Sequence, residues 1–285
     1  ITVKDFYKLT PYFYPMIVDS QVQRLLKGAG YNIVDIRSKF NFLSLSQADE
    51  IYAIDNFQEN SFNQMLLSRT PVGSVQERIE GYLSIHAPMV DAALDSEASH
   101  GQQVLFSLDT LASIPWSPEP KFVFAHIASP HGPHVFSPQG EIVANSEVYP
   151  PDRPEFLQGY QHQIEFINTH ILAVIDSIQS RSSRQSVIVI QSDHGQFLHI
   201  AGTSDTISPP EDTTPILNAF YFPDGDYQLL SESITPVNTF RVIFDKYLGT
   251  SLGLLPDRSF HFGVPMDYVH PQVFVEGAGS CQITN

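Results

Sequence analysis

The chain of 285 residues contains one cysteine, one tryptophan and few basic residues. A single cysteine excludes an intrachain disulfide, which is compatible with the cytoplasm and equally with an exported protein that needs no bridge. With 15 basic against 31 acidic residues, the net charge of −16 argues against a general nucleic-acid binder. An anionic ligand would therefore need local positive charge, and a bound divalent cation is the obvious source.

Long apolar runs are missing as well. Because no stretch of about 18 apolar residues is present, the sequence predicts no membrane span. The first 19 residues mix Lys, Asp and Pro with aromatic residues, unlike a signal peptide. The hydrophobic content of 42% is nevertheless enough to bury the core of a single α/β domain over residues 1–285.

Predicted helices and strands alternate along the chain, which indicates a mostly parallel sheet with helices on both faces, a three-layer α/β/α sandwich. The predicted helices are 18–27, 61–68, 102–113, 154–180 and 237–247. The predicted strands are 32–36, 215–222 and two that begin at residues 121 and 186. The longest helix carries a stripe at a spacing of three and four, which predicts packing against the sheet. Its members are Tyr160, Ile164, Ile167, Ile171, Val174 and Ile178.

The most informative segment is a β-branched strand that ends at Asp193, His194 and Gly195. The continuous apolar run 187–190 predicts burial on both faces, and ligands of α/β sheets lie beyond the carboxyl ends of such strands. A carboxylate oxygen beside an imidazole nitrogen suits zinc or manganese. The alternative is a solvated polar turn, because Asp, His and Gly are ordinary turn residues.

The preceding apolar strand is followed by three histidines, His126, His131 and His134. A lone histidine is more often structural than functional, but clustering at the end of a strand favours a functional site. Pro130 and Pro133 restrict the backbone on both sides of His131, which would orient its imidazole.

The helix at 154–180 would connect these two strands in a βαβ unit. A right-handed crossover places the carboxyl ends of both strands at the same edge of a sheet, so we expect His131 and Asp193 to lie near one site. The segment 134–153 is rich in Pro, Gly, Asn and Ser and would form a long loop over that edge. Loops of this length commonly serve as lids or substrate walls.

The Ser-Asp-His-Gly segment at 192–195, the Pro-His-Gly-Pro-His loop at 130–134 and the helix between them resemble the sulfatase branch of the alkaline phosphatase superfamily. They are most similar to membrane-anchored phosphoethanolamine transferases and lipoteichoic acid synthases. The resemblance spans about residues 18–260 and implies an alkaline phosphatase-like fold. It also implies that Asp193 and His194 bind a divalent metal ion (Mn, Zn, Ca or Mg), with Mn or Zn favoured.

The resemblance further implies that His131 contacts the phosphate or sulfate group, either stabilising its charged oxygen or acting as a general acid. His126 and His134 are additional candidates for substrate contact, although one of them could be structural. These families carry an acidic metal ligand and a Thr, Ser or modified Cys nucleophile near the amino terminus, and residues 1–15 contain no such strand. Cys281 lacks the Cys-x-Pro-x-Arg context of a sulfatase nucleophile.

The nucleophile is therefore unknown, and we expect an amino-terminally truncated domain with an irregular tail from about residue 261 and without turnover of its own. The leading hypothesis is a sulfatase-like metal-dependent hydrolase or phosphotransferase for sulfate or phosphate esters, acting on a glycan or lipid headgroup. Its parent would lie outside the cytoplasmic membrane, tethered by upstream helices. The second hypothesis is an incomplete member that binds an anionic glycan or lipid headgroup without turnover. The third is an unrelated α/β binding domain.

Overall fold

The computed structural model describes residues 15–38, 40, 43–54, 97–115, 117–143, 154–182, 184–195, 215–261 and 272–274. The chain divides into two compact units. One comprises residues 14–149 and 153–181, and the other comprises residues 1–13, 150–152 and 182–285. We call them the parallel-sheet unit and the antiparallel unit. The predicted helix at 61–68 and Cys281 lie outside the described residues. No helix in the described part of the chain is long and apolar enough to cross a membrane.

A three-stranded parallel sheet is the centre of the parallel-sheet unit. Its strands are β1 (Asn32–Ile36), β2 (Glu50–Tyr52) and β3 (Lys121–Ala125), in the order β2-β1-β3. Ile36 pairs with Ala125 on one side and with Tyr52 on the other, so the carboxyl ends of the three strands coincide. The predicted α/β architecture with a parallel sheet is confirmed.

Helix α1 (Gln21–Gly28) leads into β1 through a left-handed turn at Gly30, whose φ is +83°. The Gly30 N–H donates to the Lys27 carbonyl and the Tyr31 N–H to the Leu26 carbonyl, each at 3.0 Å. This pair of bonds ends a helix at a residue that favours glycine. The predicted helix at 18–27 is therefore present, with its start at Gln21 instead of residue 18.

Two long helices, α2 (Glu97–Ser113) and α3 (Pro154–Arg181), build the core of this unit. The rings of Phe136 and Phe166 stack with centroids 3.9 Å apart. The buried cluster consists of Val104, Leu108, Val135, Phe136, Phe166 and Val174, with Ile167, Ile171 and Ile178 packed against it. The apolar stripe of α3 thus packs on α2 and residues 135–136, which corrects the prediction that it packs on the sheet.

The described part of the predicted loop, 134–143, has no regular secondary structure but contributes to the core. Val135 and Phe136 are almost completely buried, and Phe136 forms a β-bridge with Ile142. Gln163 of α3 donates its amide N–H to the Phe136 carbonyl at 3.1 Å. The described part, 134–143, forms no helix or strand and is anchored in the core, while its placement over the sheet edge stays a prediction. Residues 144–153 lie outside the described residues.

The antiparallel unit contains β4 (Ile188–Gln191), β5 (Asn218–Tyr221), helix α4 (Pro236–Tyr247), β6 (Ser259–His261) and β7 (Gln272–Phe274). β4 pairs with β5 and β6 with β7, both antiparallel. The first three residues of β4 are partly exposed and its last is exposed, so the prediction of a strand buried on both faces is wrong. The two strand ends belong to different units, and their placement at one sheet edge stays a prediction.

Helix α4 begins at Pro236, one residue before the predicted start. Thr235 occupies the position before the helix, but its hydroxyl makes no bond to the helix backbone. It donates instead to Asp257 Oδ1 at 2.8 Å, which also accepts the Thr235 N–H at 2.7 Å and the Asn238 amide at 2.9 Å. The carboxylate of Asp257 thereby ties the start of α4 to the chain that follows it.

Candidate functional site

The carboxyl ends of β1 and β3 surround an open depression of about 160 Å³, lined by residues 35–38, 40, 43, 44, 124 and 126. This volume is below the ~300 Å³ of a small-molecule pocket and includes open solvent, so the depression is a shallow surface feature without enclosed space even for a water molecule. The position matches the expectation that chemistry lies beyond the carboxyl ends of parallel strands.

Asp35 lies in this depression and is only 1% exposed. Its Oδ2 accepts the Leu45 N–H at 3.0 Å and faces Arg37 Nε at 3.4 Å. Burial raises the pKa of Asp35, while the bond from Leu45 and the charge of Arg37 act in the opposite direction. Sequence reasoning predicted this strand, 32–36, but assigned no functional residue to it. The signal that it missed is a carboxylate inside an otherwise apolar strand.

His126 follows β3 and is held by a residue that follows β1. Its Nδ1 lies 3.1 Å from Ser38 Oγ, and the same hydroxyl oxygen accepts the Phe40 N–H at 3.1 Å. The imidazole also meets the Phe40 ring edge-on, with centroids 5.4 Å apart. His126, a predicted candidate for substrate contact, therefore lines the depression, and its ring contacts the segment that follows β1.

His131 is exposed, but its ring is oriented by two contacts. Its Nδ1 lies 2.5 Å from the carbonyl oxygen of Gly132. A carbonyl only accepts, so Nδ1 carries the proton and Nε2 carries the lone pair of the neutral imidazole. The ring packs edge-on against Phe40, with centroids 5.8 Å apart. Phe40 thus contacts both His126 and His131.

His134 has the surroundings of a packing residue. Its ring lies 4.8 Å from that of Phe156 and 5.9 Å from that of Tyr160, both on α3. A Cβ added at Gly159 would come within 3.1 Å of His134, so the glycine makes room for it. Burial lowers the pKa of His134, and the nearby His131 lowers it further, which favours the neutral ring. Its contact with substrate stays a prediction.

Asp193 and His194 lie just beyond β4, with side chains 80% and 47% exposed. Asp193 Oδ1 accepts the His194 N–H at 3.0 Å. The imidazole Nδ1 of His194 lies 2.7 Å from the Gly195 carbonyl, so Nδ1 donates and Nε2 carries the lone pair. His194 Nε2 lies 3.6 Å from Asp193 Oδ2.

These two atoms fit the donor chemistry of a divalent metal ion. Two ligands about 2.1 Å from a tetrahedral ion are roughly 3.4 Å apart, close to the observed separation. Carboxylate oxygen with imidazole nitrogen suits zinc or manganese. Within the described ranges, no three His, Cys, Asp or Glu side chains come together as a metal site, so the pair would need further ligands.

A hydrogen bond from α4 supports the end of β4. Thr239, which is 2% exposed, donates its hydroxyl to Gln191 Oε1 at 2.9 Å. Gln191 is the last residue of β4 and stands two residues before Asp193. The backbone that presents Asp193 and His194 is therefore anchored, while their side chains face solvent.

The family model described as Sulfatase matches residues 4–240, a range that includes both strand ends. No curated protein matches the chain, and no solved structure matches it.

Proposed function

The chain belongs to the sulfatase family, and we propose that it is a metal-dependent hydrolase or phosphotransferase acting on sulfate or phosphate esters. The family membership supports a sulfatase-like hydrolase at a coarse level, and an α/β alkaline phosphatase-like fold agrees with the parallel sheet. Members of this family are generally metal-dependent. Family membership by itself does not distinguish hydrolysis from transfer and does not identify the metal.

The observation that carries the proposal is the donor pair at the end of β4. Asp193 Oδ2 and His194 Nε2 are 3.6 Å apart, and the bond from Nδ1 to Gly195 leaves the lone pair of the imidazole on Nε2. We assign both side chains as ligands of a divalent ion, Mn or Zn in preference to Ca or Mg. Such an ion, when bound, lowers the pKa of a coordinated nucleophile and withdraws charge from the ester.

His131 is proposed to contact the charged group of the ester. In the imidazolium form both ring nitrogens donate, so Nδ1 keeps its bond to Gly132 while Nε2 donates to an anionic oxygen. The same Nε2 proton could pass to the leaving oxygen, in which case His131 acts as a general acid. His126, which shares the Phe40 contact, is proposed as a second group near the substrate. No nucleophile is assigned.

The proposed substrate is an anionic ester, carried on a glycan or a lipid headgroup. Since the net charge is −16, attraction would come from local groups, namely the ion and the imidazoles. We further propose that the full protein works outside the cytoplasm, tethered to the membrane, as the resemblance to membrane-anchored transferases implies.

Metal titration tests the ligand assignment. Calorimetric titration of Mn²⁺ or Zn²⁺ into the chain should show one strong site, lost in Asp193→Ala and in His194→Ala. Matched controls are Asp176→Ala and His162→Ala on α3, the first an exposed carboxylate and the second a half-buried imidazole. Both controls should bind like the wild type. Undiminished stoichiometry in both site variants would show that the ligands lie elsewhere.

Turnover of 4-nitrophenyl sulfate and 4-nitrophenyl phosphate, with and without the metal, tests the reaction. Metal-dependent release of nitrophenol that falls in His131→Ala, but not in His134→Ala, would support the assigned roles. Sulfate binding without turnover is expected of a chain in which no nucleophile is assigned, and it agrees with the leading hypothesis as well as with an incomplete member that holds an anionic headgroup. A chain that binds neither metal nor oxyanion would contradict both.

A further inference from the structure

We infer that Ser38 and Phe40, on the segment that leaves β1, are positioning residues that fix the imidazoles of His126 and His131. The inference rests on the proposed function, in which these imidazoles face the ester. Neither residue is expected to touch the reacting atoms. Their role would be to hold two imidazoles that follow a different strand, β3.

Ser38 contacts His126 from a buried position. Ser38 is 4% exposed, and its Oγ accepts the Phe40 N–H at 3.1 Å while lying 3.1 Å from His126 Nδ1. A hydroxyl has one proton and two lone pairs, and the backbone N–H occupies one lone pair. Ser38 Oγ can therefore donate its proton to a bare His126 Nδ1, or accept from Nδ1–H through its second lone pair. A buried hydroxyl held by the backbone therefore sets the orientation of the ring through its Nδ1 side.

The Phe40 ring lies against both imidazoles. It meets His126 at an interplanar angle of 76° and His131 at 73°, both in edge-to-face geometry. The centroid distances are 5.4 Å and 5.8 Å, within the range of favourable aromatic pairs. One ring therefore contacts both imidazoles and limits how each of them can tilt.

The segment that carries Ser38 and Phe40 is tied at both ends. The Gln103 amide of α2 donates to the Arg37 carbonyl at 2.8 Å, and Asp35 Oδ2 accepts the Leu45 N–H at 3.0 Å. Gln103 and Asp35 are both buried. Functional side chains need supports whose own position is locked, and a segment fastened to α2 and to β1 meets that condition.

The test uses the ¹⁵N resonances of the imidazoles in the whole chain. Ser38→Ala should change the ratio of the two neutral tautomers of His126 and leave His131 unaffected, while Ser38→Thr, which keeps the hydroxyl, should restore it. Phe40→Leu should move the resonances of both histidines. Ser44→Ala is the control, because Ser44 lines the same depression. Unchanged His126 resonances in Ser38→Ala would overturn the role of Ser38, and unchanged resonances in Phe40→Leu that of Phe40.

Titration with inorganic sulfate and phosphate separates this inference from the proposed function. Ser38→Ala should bind sulfate about three- to tenfold more weakly than wild type, the loss expected for one hydrogen bond. A wild-type chain that binds neither anion, with the tautomer change still present, would refute the proposed function and support positioning. Normal sulfate binding in all variants, with unchanged imidazole resonances, would refute positioning alone.

Discussion

The two strand ends that carry the proposed functional residues are supported in different ways. Beyond β3, His126 and His131 contact Phe40, and the chain then enters the core at Val135. Beyond β4, the carboxylate of Asp193 is 80% exposed, and its hydrogen bond is to the adjacent residue. Substitutions near β3 should therefore act through packing and orientation, and those beyond β4 mainly through ligand binding.

The local chemistry of the two ends is nevertheless the same. In each, a histidine precedes a glycine and donates Nδ1–H to the glycine carbonyl, at 2.5 Å for His131 and 2.7 Å for His194. This bond places the lone pair of the neutral ring on Nε2 in both. The comparison teaches that the same His-Gly turn sets the tautomer at both ends, while the tertiary contact with Phe40 further orients His131.

The largest effect is expected in the core behind the β3 end. Phe166→Ala removes the fully buried ring that stacks on Phe136 and should lower the free energy of unfolding by about 3–5 kcal/mol. Leu172→Ala, on the same helix but 62% exposed, should change it by less than about 0.5 kcal/mol. Urea unfolding of both variants measures the difference. Equal losses in the free energy of unfolding would show that the Phe166 ring does not stabilise the core behind the β3 end.

Metal binding should stabilise only the β4 end. At a metal concentration of about 100 times Kd, the wild type should gain about 2.7 kcal/mol in the free energy of unfolding of the antiparallel unit. Asp193→Ala should gain nothing, although its stability without metal should lie within about 0.5 kcal/mol of wild type because the side chain is exposed. Thermal unfolding with and without Mn²⁺ or Zn²⁺ provides the measurement, and Asp176→Ala should respond like the wild type.

The segment after β1, which contacts His126 and His131, and the end of β4 are each tied to a helix by a hydrogen bond, and the two bonds give a matched pair of variants. Gln103→Met removes the donor to the Arg37 carbonyl, and Thr239→Val removes the donor to Gln191. Each should cost about 1 kcal/mol in stability. Only Gln103→Met should alter the imidazole resonances of His126, and only Thr239→Val should weaken metal binding. The opposite pattern in either readout would break the comparison.

The smallest expected effect is the opposite pH dependence of two carboxylates beside β1. Burial raises the pKa of Asp35. The contribution of Asp35 to stability therefore falls as pH rises from the pKa of the unfolded chain, near 3.8, through the higher pKa of the folded chain. Hydrogen bonding from the Ile33 N–H, and then from Lys27, lowers the pKa of Asp49. The contribution of Asp49 to stability is present above pH 3.8 and is lost as pH falls through the lower pKa of Asp49 in the folded chain.

Asp35→Asn should therefore gain stability relative to wild type as pH rises from about 3 to 7, whereas Asp49→Asn should lose it. Urea unfolding at several pH values within that range gives both slopes. Slopes of the same sign would contradict the assigned environments.

Local patterns predicted most of the elements. Pro154 marked the start of α3, and the apolar runs marked β1 and β3. The start of α2 was placed at residue 102, although the helix begins at Glu97 and continues through Gly101. A Cβ on Gly101 would lie 3.0 Å from the side chain of Ile142, so this glycine serves close packing. That reason is invisible in the sequence because Ile142 is distant along the chain.

The candidate site was predicted in part. The sequence identified His126 and His131 as well as the Asp193-His194 pair, since each follows an apolar strand. It did not identify Ser38 or Phe40, because nothing in their local sequence distinguishes them from ordinary loop residues.

The sequence by itself indicated most of the helices and the strands β1, β3, β4 and β5, because these depend on residues within a few positions of one another. Only the tertiary structure decided that the apolar stripe of α3 packs on α2, that Asp35 is buried, and that Ser38 meets His126. That last contact joins residues 88 positions apart. Such contacts follow from how the elements pack, and a local pattern of apolar and polar residues carries no information about which distant surface it will meet.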